Sequence, residues 1–278
     1  MTFSHKNFAL RRAIFFALSV VSLFFLTACH LREIPPDPDI PEHTETFDPD
    51  LVVGPPTVSD NPSASPSSTP ETKPSPEIEG PDIPKREPVD DEFFSDAAFV
   101  GNSLMDGFRL FSGLTTCDYY AATSMTVAGV GSKACITLDN GNAGTILDGI
   151  AQKPYGKVYI LLGINEIGYE ISKFTELYGT MLDSIEASQE DCDIYIMGLT
   201  PVSAAKSGSG DGFNMDRINS YNDALRDLAA ERGHYYLDLV EALAGDDGFL
   251  PSSETTDGVH FSVNIYMKWL DYVKTHYI

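Results

Sequence analysis

Two short apolar runs constrain this chain most. Residues 157–162 (Lys-Val-Tyr-Ile-Leu-Leu) and 193–199 (Asp-Ile-Tyr-Ile-Met-Gly-Leu) are nearly continuous in apolar character rather than alternating. A strand with that pattern is buried on both faces, as in a parallel sheet covered by helices. Between the runs, residues 171–185 place Phe174, Leu177, Tyr178, Met181, Leu182 and Ile185 on one helical face. The same alternation extends in both directions. A first strand is expected at 97–101, a helix at 104–111, a second strand at 119–127 and a helix at 143–151. Beyond the two central runs, 217–232 reads as a helix with Ile218, Tyr221, Leu225 and Leu228 inward, stopped by Gly233. A last strand follows at 234–239. Ser262 is placed to cap a final helix that buries Tyr266, Trp269, Leu270 and Val273. Repeated βα units of this length predict an α/β fold, a three-layer α/β/α sandwich around a central parallel sheet.

The N-terminal third reads differently. Residues 1–29 carry His5, Lys6, Arg11 and Arg12 with no acidic residue, then an apolar run at 13–26. That run is short for a membrane span and suits a secretory signal. It ends in Leu26-Thr27-Ala28-Cys29, which resembles a bacterial lipobox, so Cys29 is the expected lipidation site and acyl chains the expected membrane anchor. An ordinary signal or an uncleaved anchor is the plainer alternative; each predicts export. Residues 30–90 hold fifteen of the eighteen prolines, with 14 acidic and 4 basic residues and no sustained apolar period. Such a segment cannot bury enough apolar surface to offset its chain entropy, and it is expected to be a disordered tether.

Residues 91–278 suit one domain with a sizeable core. They hold 27 acidic and 11 basic residues, which argues against nucleic-acid partners and against docking on anionic lipid. The balance favours neutral or cationic substrates. Cys117, Cys135 and Cys192 allow at most one disulfide, and their spacing is not that of a metal site, so free buried thiols and no metal or other cofactor are expected.

The residues with chemical potential fall at the predicted strand ends. Ser103 follows the first strand in Phe99-Val100-Gly101-Asn102-Ser103-Leu104. There its hydroxyl would lie where open α/β sheets bind ligands and its N–H near a helix N-terminus. A serine in that position is more commonly a helix cap. A glycine turn, Ala128-Gly129-Val130-Gly131-Ser132-Lys133, follows the second strand and precedes a helix-like stretch. Gly163-Ile164-Asn165-Glu166 follows the third, where Asn165 could offer its amide to an oxyanion or simply close its own turn. Asp257-Gly258-Val259-His260 follows the last strand; an aspartate three residues before a histidine can orient the imidazole. Among the other histidines of the domain, His234 opens a strand and His276 is at the chain end.

Serine, glycine, asparagine and Asp-x-x-His in this order resemble the SGNH (GDSL-type) hydrolase family, over residues 96–276. The resemblance implies a flavodoxin-like sheet order and an esterase mechanism without a cofactor. It assigns Ser103 as nucleophile, His260 as base and Asp257 as the acid that orients it. It places the oxyanion hole at the Ser103 N–H, the Gly131 N–H and the Asn165 side chain, with Gly129 and Ser132 as rival registers for the glycine. Two residues depart from the family pattern: Asn102 and Glu166 each stand where an aspartate is usual. The expected substrates are short acyl esters, O-acetyl groups on carbohydrate or cell-wall polymers above all. An acyltransferase using the same acyl-serine, or an inactive glycan-binding lipoprotein, are the alternatives. Residues 204–216, rich in Gly and Ser, are a candidate rim over the site.

Overall fold

A computed structural model of the chain describes residues 80–278. The expected leader, Cys29 and the expected tether as far as residue 79 lie outside the described residues. Five strands, β1 (Ala97–Gly101), β2 (Asp118–Ala121), β5 (Lys157–Leu161), β6 (Asp193–Met197) and β7 (Tyr235–Leu237), form one wholly parallel sheet in the order β2-β1-β5-β6-β7. β3 (Ile136–Thr137) and β4 (Ala143–Gly144) form a small antiparallel pair apart from it. The helices are α1 (Ser103–Phe111), α2 (Ile146–Ile150), α3 (Ile171–Ser188), α4 (Ala204–Ser207), α5 (Met215–Arg232), α6 (Leu239–Leu243) and α7 (Val263–Thr275). The chain runs from β1 outward to β2, then returns past β1 to β5 and continues the other way. Strand order therefore reverses between β1 and β5, and their carboxyl ends open the crevice where such sheets bind ligands.

Strand side chains alternate between two cores. Ala98, Val100, Val158, Ile160, Ile194 and Ile196 pack with α2, α3 and α5 on one face. Ala97, Phe99, Tyr159, Leu161, Tyr195 and Met197 pack with α1, α6 and α7 on the other. This is the expected three-layer sandwich.

One rung of the sheet is aromatic from edge to edge. Tyr119, Phe99, Tyr159, Tyr195 and Tyr235 are paired in register on β2, β1, β5, β6 and β7. Successive ring centroids along the rung are 5.5, 4.5, 4.4 and 5.2 Å apart, and the central pairs are stacked within 8° and 14° of parallel. Each such pair adds about 0.5–1.5 kcal/mol beyond its area burial. A slip of one residue in any strand would turn its ring to the opposite core.

The sequence expectations fail in three places. The second strand ends at Ala121 rather than at 127, because Ser124 turns left-handed (φ 57°) and the Met125 N–H bonds back to the Ala122 carbonyl. The helix expected at 143–151 begins only at Ile146: Thr145 and Asp148 form a capping box, and Ala143 and Gly144 pair instead with β3, which also replaces the helix-like stretch after Lys133. The tether ends earlier than residue 90. The Pro81 carbonyl accepts from the Tyr236 N–H, Asp82 bridges to Tyr236, and Arg86 and Val89 donate their N–H groups to Thr275 and Lys274 at the end of α7. Composition hid this because the segment is anchored mainly by backbone bonds, with one buried side chain, Ile83, and an ion pair from Asp82 to Arg226 at 3.0 Å.

Phe99, fully buried and touching Tyr119, Tyr159 and Phe108, is the rung's central test. Phe99→Ala is expected to cost about 3–5 kcal/mol, and Tyr235→Ala at the half-buried edge clearly less, as measured by denaturant unfolding.

Candidate functional site

At the β1–β5 crevice the chain assembles residues from four loops. Asn102, 1% exposed, is the N-cap of α1: its side-chain oxygen accepts the Leu104 N–H at 2.9 Å. Ser103 is thereby the first helical residue with no capping duty. Its Oγ lies 3.0 Å from His260 Nε2. The cap reading of the serine is thus answered by its neighbour, and asparagine caps as well as the usual aspartate does.

His260 Nδ1 lies 2.7 Å from Asp257 Oδ2. A carboxylate only accepts, so Nδ1 carries the proton and Nε2 is left to accept from the Ser103 hydroxyl. Asp257 Oδ1 in turn accepts the N–H groups of Val259 and His260 at 2.9 and 2.8 Å. Partial burial pushes the Asp257 carboxyl up, but these bonds from the imidazole and the two backbone N–H groups outweigh it and bring it down to about 2. The carboxylate is therefore ionised at any pH above the ordinary carboxylate range, and the stability it contributes, full above that range, is lost as pH falls from the ordinary value of 3.8 through about 2. The turn is closed by a bridge between Thr255 and Phe261 and by the Gly258 N–H on Thr255 Oγ1 at 2.9 Å. Gly258 has φ 84°, and a Cβ there would fall 2.5 Å from the Lys206 Cβ, so only glycine fits. Residues 203–214 meet this turn: the Ser203 N–H donates to the Gly258 carbonyl, and Lys206 pairs with Asp211 and lies over the Phe213 ring.

The other side of the crevice follows β5. Gly163 (φ 123°) turns the chain into a single 3-10 turn, Ile164–Glu166, that exposes Asn165. One Asn165 amide N–H donates to the Met125 carbonyl at 2.8 Å, and the second has no acceptor among the described residues. Glu166, 1% exposed, accepts the Val127 N–H with Oε1. Both bonds reach across to the glycine loop. In that loop the Gly129 N–H is committed to Thr126 and the Ser132 N–H to the Gly129 carbonyl, whereas the Gly131 N–H has no acceptor among the described residues. Of the three candidate registers, Gly131 alone keeps a free donor.

The remaining histidines are engaged elsewhere. His234 bonds Glu186 at 2.8 Å, and His276 stacks on Tyr272. Cys117, Cys135 and Cys192 are free thiols, and burial pushes Cys117 up to about 11 and Cys192 up to about 12. Among the described residues no group of three or more His, Cys, Asp or Glu is placed to hold a metal ion. The capping role of Asn102, which its residue type signals, was missed, as was the burial of Glu166, for which the neighbouring Ile164 and Ile167 were the one available signal.

A hydroxyl, an imidazole and a carboxylate in one hydrogen-bonded run at the carboxyl end of a parallel strand are the arrangement that serine-hydrolase chemistry requires. The GDSL-like Lipase/Acylhydrolase family model matches residues 99–268, and the chain belongs to that family. It is an ester-hydrolysing enzyme. Among solved structures, one of a protein from Bacteroides fragilis assigned as an acylhydrolase is similar at a TM-score of 0.50 and 16% identity, covering 69% of this chain and 88% of that one. One of a protein from Streptococcus pneumonia assigned as a platelet activating factor is similar at 0.50 and 16%, covering 64% and 85%. A GDSL-like lipase from Bacteroides thetaiotaomicron follows at 0.49 and 16%, covering 68% and 89%. At these identities the likeness is one of fold. Among curated proteins, none matches the chain in sequence.

The His260 ring bond accounts for much of the depression at Asp257. In His260→Ala the Asp257 carboxyl, followed by carbon NMR, is expected to titrate well above its value of about 2 in the unaltered chain; an unmoved midpoint would show that the backbone bonds alone hold it.

Proposed function

We propose that the chain is an exported serine esterase that removes short acyl groups, O-acetyl above all, from carbohydrate or cell-wall polymers. The observation that carries the mechanism is the Ser103–His260–Asp257 run at the reversal of strand order. Ser103 Oγ attacks the ester carbonyl carbon while its proton passes to His260 Nε2. The negative oxygen of the tetrahedral intermediate is held by the N–H groups of Ser103 and Gly131 and the free Asn165 amide N–H. His260 then gives its proton to the departing alkoxide, Asp257 holding the ring and balancing its charge. Water, activated by the same imidazole, releases the acyl group from Ser103.

Support for a bulky polymeric substrate comes from the openness of the site: the His260 and Asp257 side chains are 50% and 51% exposed. An acyl group projecting from a polysaccharide can reach such a serine without threading a tunnel. Support for the location comes from the basic, then apolar leader ending at Cys29, whose lipidation would tether the enzyme to the outer face of a membrane. The acidic domain of 27 acidic and 11 basic residues is in keeping with an uncharged polysaccharide rather than an anionic surface.

The purified protein should hydrolyse p-nitrophenyl acetate faster than the butyrate and release acetate from acetylated glycans. Ser103→Ala and His260→Ala should each reduce kcat by at least about 10³-fold. Asn165→Ala, which removes one oxyanion donor, should reduce it about 10²–10³-fold. Turnover in Asn165→Ala close to that of the unaltered chain would reject its assignment, and activity surviving in Ser103→Ala would reject the mechanism.

A further inference from the structure

The Glu166 carboxyl is an unusual group for its position. It is 1% exposed, and among the described residues it has no cationic partner. One oxygen accepts the Val127 N–H and the other has no hydrogen-bond partner among the described residues. The Tyr178 hydroxyl, also buried in the core behind the site, is likewise unpartnered. Burial pushes the Glu166 carboxyl up, only partly offset by the Val127 N–H and its own backbone N–H. Burying a carboxyl in this way costs free energy that a well-packed apolar side chain would not. Groups that break the local rules of stability in this way cluster where function needs them.

What the carboxylate grips is the loop between β2 and β3. That loop leaves the sheet through the left-handed Ser124 (φ 57°). Its Met125 carbonyl is taken by Asn165 at 2.8 Å and its Val127 N–H by Glu166. Four residues on from Val127 comes Gly131, with its uncommitted N–H. The grip is itself anchored. The Tyr221 hydroxyl from α5 bonds the Glu166 and Tyr169 carbonyls at 2.6 and 2.7 Å, and the Glu166 N–H donates to the Gly163 carbonyl. Adjacent residues of one short turn thus hold two points of the loop that carries a third oxyanion donor.

We propose that Glu166 is a positioning residue for the oxyanion hole: its buried carboxylate, through the Val127 amide, sets the path of residues 125–131 and so the aim of the Gly131 N–H. The role belongs to the acceptor oxygen and not to the charge. Glutamine, with the same shape and one carbonyl oxygen, can fill it; aspartate, one methylene shorter, falls short of Val127; leucine removes the acceptor altogether. The inference rests on the esterase reading only for its kinetic consequence.

The test compares Glu166→Gln, Glu166→Asp and Glu166→Leu in the intact protein. Glu166→Gln should keep kcat for p-nitrophenyl acetate within about threefold. Glu166→Asp should lower kcat about tenfold and Glu166→Leu about 10²-fold, on the scale of a lost oxyanion donor, with KM moved less than about threefold. Hydrogen–deuterium exchange of residues 125–131 should quicken in Asp and Leu, remain unchanged in Gln, and leave β5 and β6 protected in all three. Glu166→Gln as impaired as Glu166→Leu, or undisturbed exchange in Glu166→Asp, would overturn the proposal. So would exchange raised evenly over the whole domain, which is the mark of a merely structural role. Should Glu166→Leu not fold, the Gln and Asp pair decides alone. The exchange arm needs no substrate: a wild type inert on every ester overturns the esterase reading, and the exchange result still stands for or against the clamp.

Discussion

The register of the parallel sheet is the constraint on which the rest of this structure depends. Ser103 sits two residues beyond β1 and Asn165 four beyond β5. Their facing positions hold only if those strands end level. The rung Tyr119–Phe99–Tyr159–Tyr195–Tyr235 supplies that alignment with side chains, not backbone bonds alone, because stacked rings 4.4–4.5 Å apart at the centre tolerate no slip. The sheet thereby fixes where the serine helix starts and where the asparagine turn begins, and the loops are built from those two points.

The second layer of control is polar and local. Asn102 takes the capping bond that Ser103 would otherwise make, so the serine hydroxyl is left to the imidazole. Asp257 spends one oxygen on its own turn and the other on His260, so one carboxylate shapes the loop and selects the tautomer. Asn165 gives one amide N–H to the Met125 carbonyl and keeps the other uncommitted among the described residues. In each case a single side chain holds a loop beside the proposed reacting centre, which is how an exposed site can stay ordered without burial. The two departures from the family pattern fit this economy. Asn102 keeps the cap, and Glu166 keeps an acceptor for the neighbouring loop.

Much of this was legible in the sequence, for identifiable reasons. The continuous apolar runs at 157–162 and 193–199 gave a buried parallel sheet, and the helical faces of α3, α5 and α7 were read with the right residues inward, of which Leu177 and Leu228 are only partly buried. Ser103, Asp257 and His260 were singled out because ester chemistry needs those types near strand ends, and the structure joins the three by hydrogen bonds. What escaped was set by single backbone events. The left-handed Ser124 ended β2 six residues early, and the capping box at Thr145 displaced a helix start. Residues 81–89 were read as tether since their attachment uses main-chain groups that any composition provides. Burial of Glu166 escaped for the opposite reason: it is a tertiary fact about a charged residue set between the buried Ile164 and Ile167, and no periodicity reports it.

The central claim is that Ser103 is the nucleophile, poised by His260 and Asp257. Its most direct test is covalent: react the intact protein with an alkyl fluorophosphonate and locate the adduct by peptide mass spectrometry. The account predicts one phosphonyl group per chain, on Ser103, formed far more slowly in His260→Ala and absent in Ser103→Ala. A folded protein that takes up no label, or takes it on another residue with Ser103 unmodified, would contradict it.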